Sequence, residues 1–348
     1  MEIGFLLHTR QLVRREDAAR SFDQLWIDAA QAENFGFDHV WLGDSVTVLD
    51  KARGDCLTTM AALAARTSKI RIGAVPMLPA LRNPVLLAHA LATLDIISKG
   101  RIILGVSVGP VRDYIQRQFR ACGVPPQEKA GRLSECIEIM RRLWGETNID
   151  YDGRYYKLDG VGILPHPAQK PGIPIWIAAD RNDNGFKRVA RLGDGWVTLA
   201  PTLERFTAAR RSIDQHAETY GRAGKIPATA LYATFNIQHD GARAREEGWN
   251  WMERFFDQPR EKLTHHFTIF AGPEECARLL KSYAGAGLTT IIALRVGRCA
   301  RTGADAVERN QTAIGVLIWN GCVSHYRVMN TIERASWSTA PCRQKDWS

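Results

Sequence analysis

The chain has 348 residues, of which 45% are hydrophobic and 24% charged, with a formal net charge of +9 at pH 7. That balance supplies ample core material, argues against disorder, and leaves no apolar run near the roughly 20 residues that span a bilayer. The densest basic cluster, Arg10, Arg14, Arg15 and Arg20, reads as a solvated face or as an attraction of anionic ligands into a nearby cleft. Zinc-finger spacing, RNP-type aromatics and a basic zipper are all missing, so no nucleic-acid partner is expected.

Short β-branched runs alternate with stretches of helical period along most of the chain. The runs that read as buried parallel strands are 3–7, 39–42, 70–75, 101–106, 173–178, 195–199, 231–237 and 289–296. Between them, helical patterns run over Phe22–Phe35, Pro84–Ile97, Glu128–Trp144, Leu203–Tyr220 and Pro273–Ala286. In the second of these Asn83 can cap, Pro84 suits the first helical position, and Leu87, Leu91, Leu94 and Ile97 are expected to form one buried stripe. Eight strands separated by helices predict a closed (β/α)8 TIM barrel over residues 1–297, with an open doubly wound sheet as the alternative.

Two segments interrupt the alternation. Residues 149–164 read as a small hairpin around Asp152-Gly153, and residues 238–270 as a partly helical insertion and candidate lid. From residue 298 onward the periodicity is lost, apart from a helical pattern over Ala304–Ile318, and a C-terminal helix with an irregular tail is expected. The N-terminal apolar run is too short for a secretory signal, and seven widely spaced cysteines predict reduced thiols in a cytoplasmic protein without a membrane partner.

Several residues carry chemistry in their own right. Asp44, at the end of the second strand, reads as a functional carboxylate or as a helix cap or partner of Arg53. His8, ending the first strand, could donate a proton at the same mouth. GVSVG (105–109) matches the G-x-S-x-G nucleophile elbow, so a serine hydrolase with Ser107 as nucleophile is an alternative, although Pro110 fits poorly in a tight turn into a helix. His239 reads as a loop histidine, and His265-His266 lack further ligands at metal spacing, so no metal is expected. Trp41 and Trp176 read as barrel core, and no G-x-G-x-x-G follows a strand.

The segments VWLGD (40–44), LTTMAALAART (57–67), the long run 69–109, RLSECIEIMRRLW (132–144), YDGRYYKLDG (151–160), PIWIAAD (174–180) and ARLGDGWVTLAP (190–201) occur in one order. In that order they closely resemble the bacterial-luciferase-like family of flavin- and deazaflavin-dependent oxidoreductases, over residues 1–295. The resemblance implies an FMN or coenzyme F-420 cofactor at the carboxyl ends of the barrel strands. Ala74, Val75 and Pro76 would back its ring, and Val106, Ser107, Val108 and Gly109 would flank it. Its phosphate would lie against Ala178, Ala179, Asp180 and the helix beginning near Asn184, with Arg181 adding a charge-assisted contact. Asp180 would then have to point away, as in a helix cap.

Ser45 stands where the family's deazaflavin sugar dehydrogenases carry a histidine, and Pro110 where they carry a glutamate. Asp44, Ser45 and His8 are the catalytic candidates at the barrel mouth. The family pattern implies a small organic substrate, a homodimer and, with FMN, a separate flavin reductase. A monooxygenase using reduced FMN and oxygen is the formal class favoured, hydride transfer with F-420 is the other chemistry, and a non-catalytic flavin-binding barrel is a further alternative.

Overall fold

Strand-forming runs and helices alternate as their periodicities predict, and a computed structural model describes residues 1–9, 18–46 and 53–296. The basic residues Arg10, Arg14 and Arg15, the Arg20 side chain and the predicted C-terminal helix and tail lie outside the described residues.

The elements, in chain order, are β1 (Glu2–Leu6), α1 (Ala18–Asn34), β2 (His39–Leu42), α2 (Cys56–Arg66), β3 (Arg71–Met77), α3 (Pro84–Ile97), β4 (Ile102–Val106), α4 (Asp113–Ala121) and α5 (Lys129–Gly145). Then follow β5 (Ile149–Asp152), β6 (Lys157–Val161), β7 (Ile175–Ala178), α6 (Asp183–Leu192), β8 (Gly195–Thr198), α7 (Leu203–Thr219), β9 (Ala228–Ile237), α8 (Gly241–Phe256), β10 (Phe267–Ala271), α9 (Pro273–Gly285) and β11 (Thr290–Arg295).

Strands β11, β1, β2, β3, β4, β7, β8 and β9 follow one another round the sheet, and a β8–β9 pairing closes it. The result is the expected closed eight-stranded parallel barrel ringed by helices. Its unit comprises Met1–Ala233 and Leu288–Leu294. The open-sheet alternative fails because β9 bonds to both β8 and β11. β5 and β6 form the separate antiparallel hairpin, which Glu135 latches to α5 by accepting from the backbone N–H groups of Arg154, Tyr155 and Tyr156.

Inside the barrel, Trp41 from β2 and Trp176 from β7 lie 5.4 Å apart by ring centroid, with His39 5.7 Å from Trp41. Glycines on other strands make the room. A Cβ on Gly4 or Gly73 would overlap the Trp41 ring, and one on Gly195 would overlap Trp176. His39 is fully buried, its Nε2 3.2 Å from Glu2 Oε2, and that contact holds the Glu2 carboxyl below its ordinary range.

Helix α3 departs from the predicted stripe. Asn83 caps it by accepting from the N–H groups of Val85 and Leu86, and Leu87, Leu91 and Leu94 are buried. Ile97, however, is 48% exposed, while Asp95 and Ser98 are fully buried. At 3.6 residues per turn the face that starts at Leu87 passes through positions 91, 94 and 98, so Ile97 falls off it. Asp95 is tolerated inside because Gln169 donates to it from both its backbone and its side chain.

Residues 234–287 belong to a second unit. In it β10 bonds beside β9, with Gln238 N–H donating to Ala271, so the insertion holds a strand that its sequence pattern did not announce. α8 packs Gly248 and Trp249 on Phe270, and Arg260 stacks over the Trp249 ring. No described helix is long and apolar enough to cross a membrane.

Two predictions follow from the barrel. Gly73→Ala drives a methyl into Trp41 and is expected to cost about 1–3 kcal/mol, read as a lowered urea midpoint. Adding Trp41→Phe to that variant should recover part of the loss. At the start of β3, Glu33 accepts from the backbone N–H groups of Ser68, Lys69 and Ile70. Burial pushes its carboxyl up, but these donors outweigh it and hold the group below its ordinary 4.5. A depressed carboxyl stabilises above the unfolded value and loses that contribution as pH falls through the folded one. Glu33→Gln should therefore cost about 1 kcal/mol at pH 7, with the difference from wild type vanishing in acid, as measured by urea unfolding across pH.

Candidate active site

Parallel pairing brings the candidate residues to one end of the barrel, because every parallel strand directs its carboxyl end the same way. Leu7 N–H donates to the Trp41 carbonyl, which sets His8 beside the end of β2. The register then runs Leu42 against Ala74, Met77 against Val106, and Ala178 against Val197. Between Ala74 and Met77 the β3–β4 register shifts, an irregularity of the kind that re-aims backbone at barrel rims. Ala74, Val75 and Val106 are buried in the wall, whereas Pro76 is exposed and Ser107 and Val108 are partly so.

Asp44 is the best-held of these groups. Its side chain is 2% exposed and accepts from Arg82 Nη1 at 2.7 Å, Arg82 Nη2 at 2.8 Å and the Leu78 N–H at 3.2 Å. Its partner is thus Arg82, not Arg53, and it caps no described helix; α2 is capped by Asp55, which accepts from Thr58. Burial would lower the Arg82 guanidinium, but the bond to Asp44 carries it above its ordinary range. The pair clamps the loop after β2 to the turn after β3. A second clamp runs from the Val46 N–H to Gln118 of α4. Ser45 is partly exposed and makes no hydrogen bond among the described residues, and His8 is also partly exposed.

The GVSVG segment is not a nucleophile elbow. Residues 107–112 form an irregular loop, and α4 starts only at Asp113, whereas the elbow needs a sharp turn from strand directly into helix. The Ser107 hydroxyl instead accepts from the Gly109 N–H, and Lys129 holds the loop by donating to the Gly109 carbonyl. Gly109 has φ +73°, a conformation that suits glycine.

At the ends of β4 and β7 lies a cavity of about 440 Å³, lined by Val108, Ala178, Ala179, Ser134, Asn182 and Arg188 among others. Ala179 is fixed by its N–H to Val197 and by Trp196, whose indole N–H donates to the Ala179 carbonyl at 2.7 Å. Asn182 caps α6 by accepting from Gly185, whose missing side chain lets the first turn approach Ala179. The Asp180 carboxylate is not that cap. It turns to the end of β8, accepting from the Thr198 hydroxyl and the Leu199 N–H. Arg181 is exposed and is not among the residues lining the cavity.

Arg188 is the group that the motif comparison missed. Its Nε donates to Ser134 at 3.2 Å, no described carboxylate pairs with it, and burial together with the neighbouring Arg191 lowers its pKa. A cavity with small walls, a helix N-terminus and an incompletely balanced guanidinium fits the phosphate of a flavin or deazaflavin. The spacing Asn184–Arg188, one turn into a helix that opens on an anion site, was the available signal. Ser134, brought from α5, had none.

Breaking the clamp tests its weight. Asp44→Asn and Arg82→Gln are each expected to cost about 3 kcal/mol, since each strands the other buried group. The double variant should cost clearly less than the sum, as read from urea unfolding.

Comparisons with known proteins agree with this geometry. A family model described as luciferase-like monooxygenase matches residues 1–290. An F-420-dependent glucose-6-phosphate dehydrogenase of Amycolatopsis mediterranei is 28% identical over 291 residues, covering 76% of this chain and 86% of that protein. Among solved structures, a monooxygenase from Streptomyces bottropensis superposes with a TM-score of 0.75 at 24% identity, over 94% of this chain and 100% of the other. An F-420-dependent secondary alcohol dehydrogenase, solved with an F-420-acetone adduct, gives 0.70 at 20% identity, over 85% of this chain and 93% of the other. With the family model matching most of its length, the chain belongs to the luciferase-like monooxygenase family.

Proposed function

We propose that the chain is a flavin- or deazaflavin-dependent oxidoreductase that holds the phosphate of FMN or F-420 in the cavity at the N-terminus of α6. The carrying observation is the Arg188 guanidinium, lining that cavity with no described carboxylate as partner, beside the walls made by Ala178 and Ala179. In this reading Ala74, Val75 and Pro76 back the ring, and the Val106–Gly109 segment flanks it. When bound, the cofactor supplies the redox step, either oxygen activation by reduced FMN or hydride transfer by F-420.

The chain's own residues position and shield. Asp44, committed to Arg82, acts as a positioning residue that keeps the β2 and β3 loops in register. Ser45 and His8 stand at the same mouth, where a small organic substrate would meet them. The finer reading is a monooxygenase, with electrons delivered by a separate reductase. Its support is Ser45 and Pro110, standing where the resemblance implies that hydride-transferring sugar dehydrogenases carry histidine and glutamate. Similarity over most of the chain to an F-420-dependent dehydrogenase favours hydride transfer as the second reading.

Fluorescence titration of the purified protein with F-420, with oxidised FMN and with reduced FMN separates them. Preference for reduced FMN supports the oxygenase, saturable binding of F-420 alone supports hydride transfer, and binding of none overturns the proposal. Arg188→Gln is expected to weaken cofactor binding about tenfold, whereas Arg181→Gln should change it little.

A further inference from the structure

At the same barrel end, but away from the α6 cavity, stands a second guanidinium. Arg53 lies just before α2, and its Nη1 donates to Thr9 Oγ1 at 2.8 Å. That is its one hydrogen bond among the described residues. Its Nε is sealed from solvent and has no acceptor among the described residues. No described carboxylate forms an ion pair with it, and the carboxylate nearest in charge effect, Asp44, is spent on Arg82. The guanidinium lies across Gly43 so closely that a Cβ there would overlap it, and glycine at the end of β2 is what admits it to the mouth.

Burial lowers the pKa of Arg53, partly offset by Tyr232, Cys56, Asp44 and Tyr114. A guanidinium carries five N–H donors in a planar fork matched to two oxygens of one anion. Here one donor is used internally, and no described carboxylate pairs with the charge. Holding a desolvated cation unpaired is costly, and a structural residue at this position would be cheaper without a charge. The residue as a whole is nevertheless partly exposed.

We propose that Arg53 is the substrate-recognition group of this site and that the substrate carries an anionic oxygen group, a carboxylate or a tetrahedral phosphate or sulfonate. This rests on the reading of the barrel mouth as the active site, and it assigns a specificity determinant there, beside Thr9 and Gly43 and separate from the cofactor's phosphate cavity. The anion would take the open edge of the Arg53 fork and thereby direct the rest of the substrate toward Ser45 and His8.

The test is a titration of the full chain, labelled with ¹⁵N-arginine, with sodium benzoate, sodium methanesulfonate and inorganic phosphate at constant ionic strength. The Arg53 Nε–H resonance is identified by its loss in Arg53→Gln. The expected result is a saturable shift of that resonance, with calorimetric affinity about tenfold weaker in Arg53→Gln. A stronger response to benzoate identifies a carboxylate substrate, and a stronger response to phosphate or methanesulfonate a tetrahedral one.

Thr9→Val removes the internal bond but keeps the cation, so it should retain anion binding. A purely structural Arg53 would instead make Thr9→Val and Arg53→Gln alike in stability and leave anion affinity unchanged in both, which overturns the proposal. So does an Arg53 resonance unmoved by all three anions. Repeating the titration in Arg188→Gln weakens phosphate binding at the α6 cavity, and the Arg53 shift should persist. Loss of cofactor binding with a retained Arg53 shift would sink the proposed function alone. Intact FMN or F-420 binding without the shift would sink this inference alone.

Discussion

Filling the barrel interior is the constraint on which the rest of the structure depends. An eight-stranded barrel leaves space only for packed side chains, and here two indoles and an imidazole take a large share of it. Trp41 and Trp176 meet across the lumen only because Gly4, Gly73 and Gly195 present no side chain where the rings lie. The large residues sit on two strands and the small ones on three others, so the interior is a joint property of five strands. Once that packing sets the strand positions, all eight carboxyl ends form one mouth.

The loops at that mouth are tied by charge and hydrogen bonds as well as by the apolar cluster of Leu78, Leu81, Ile115 and Phe119. Asp44 and Arg82 bind the β2 loop to the β3 turn, Gln118 ties the same loop to α4, and Lys129 and Ser107 brace the loop after β4. Such groups stabilise only when fully partnered, because an unmatched buried polar atom costs more than a matched one contributes. Against that background Arg53 and Arg188, with which no described carboxylate pairs, stand out. One faces the proposed cofactor phosphate and the other the proposed substrate, an arrangement suited to a site that takes two anionic ligands in defined relation.

Much of this was legible in the residue order. Strand runs such as 39–42 and 101–106 are apolar and short because both faces are buried, and parallel barrel strands have that character. Helix α3 declared its start through Asn83 and Pro84, both of which act locally. The extent of its buried face was less legible, because apolar content drew Ile97 into the stripe while geometry chose Ser98. β10 was hidden for a similar reason. Its pattern FTIFA follows a polar, histidine-bearing turn, and what makes it a strand is the edge of β9 available to it.

By itself the sequence determined what depends on neighbours within a few residues: strand and helix periods, the Asn83 cap, the hairpin at residues 149–164, and the ordered motifs that mark the family. Tertiary structure alone decided the pairings between residues distant in the chain. It gave Asp44 to Arg82 rather than to Arg53, turned Asp180 toward Thr198, set Ser134 beside Arg188, and left Arg53 without a carboxylate partner among the described residues. The physical reason is that a side chain's charge partner is fixed by which loops converge in space, and convergence follows from barrel closure, which no local pattern encodes.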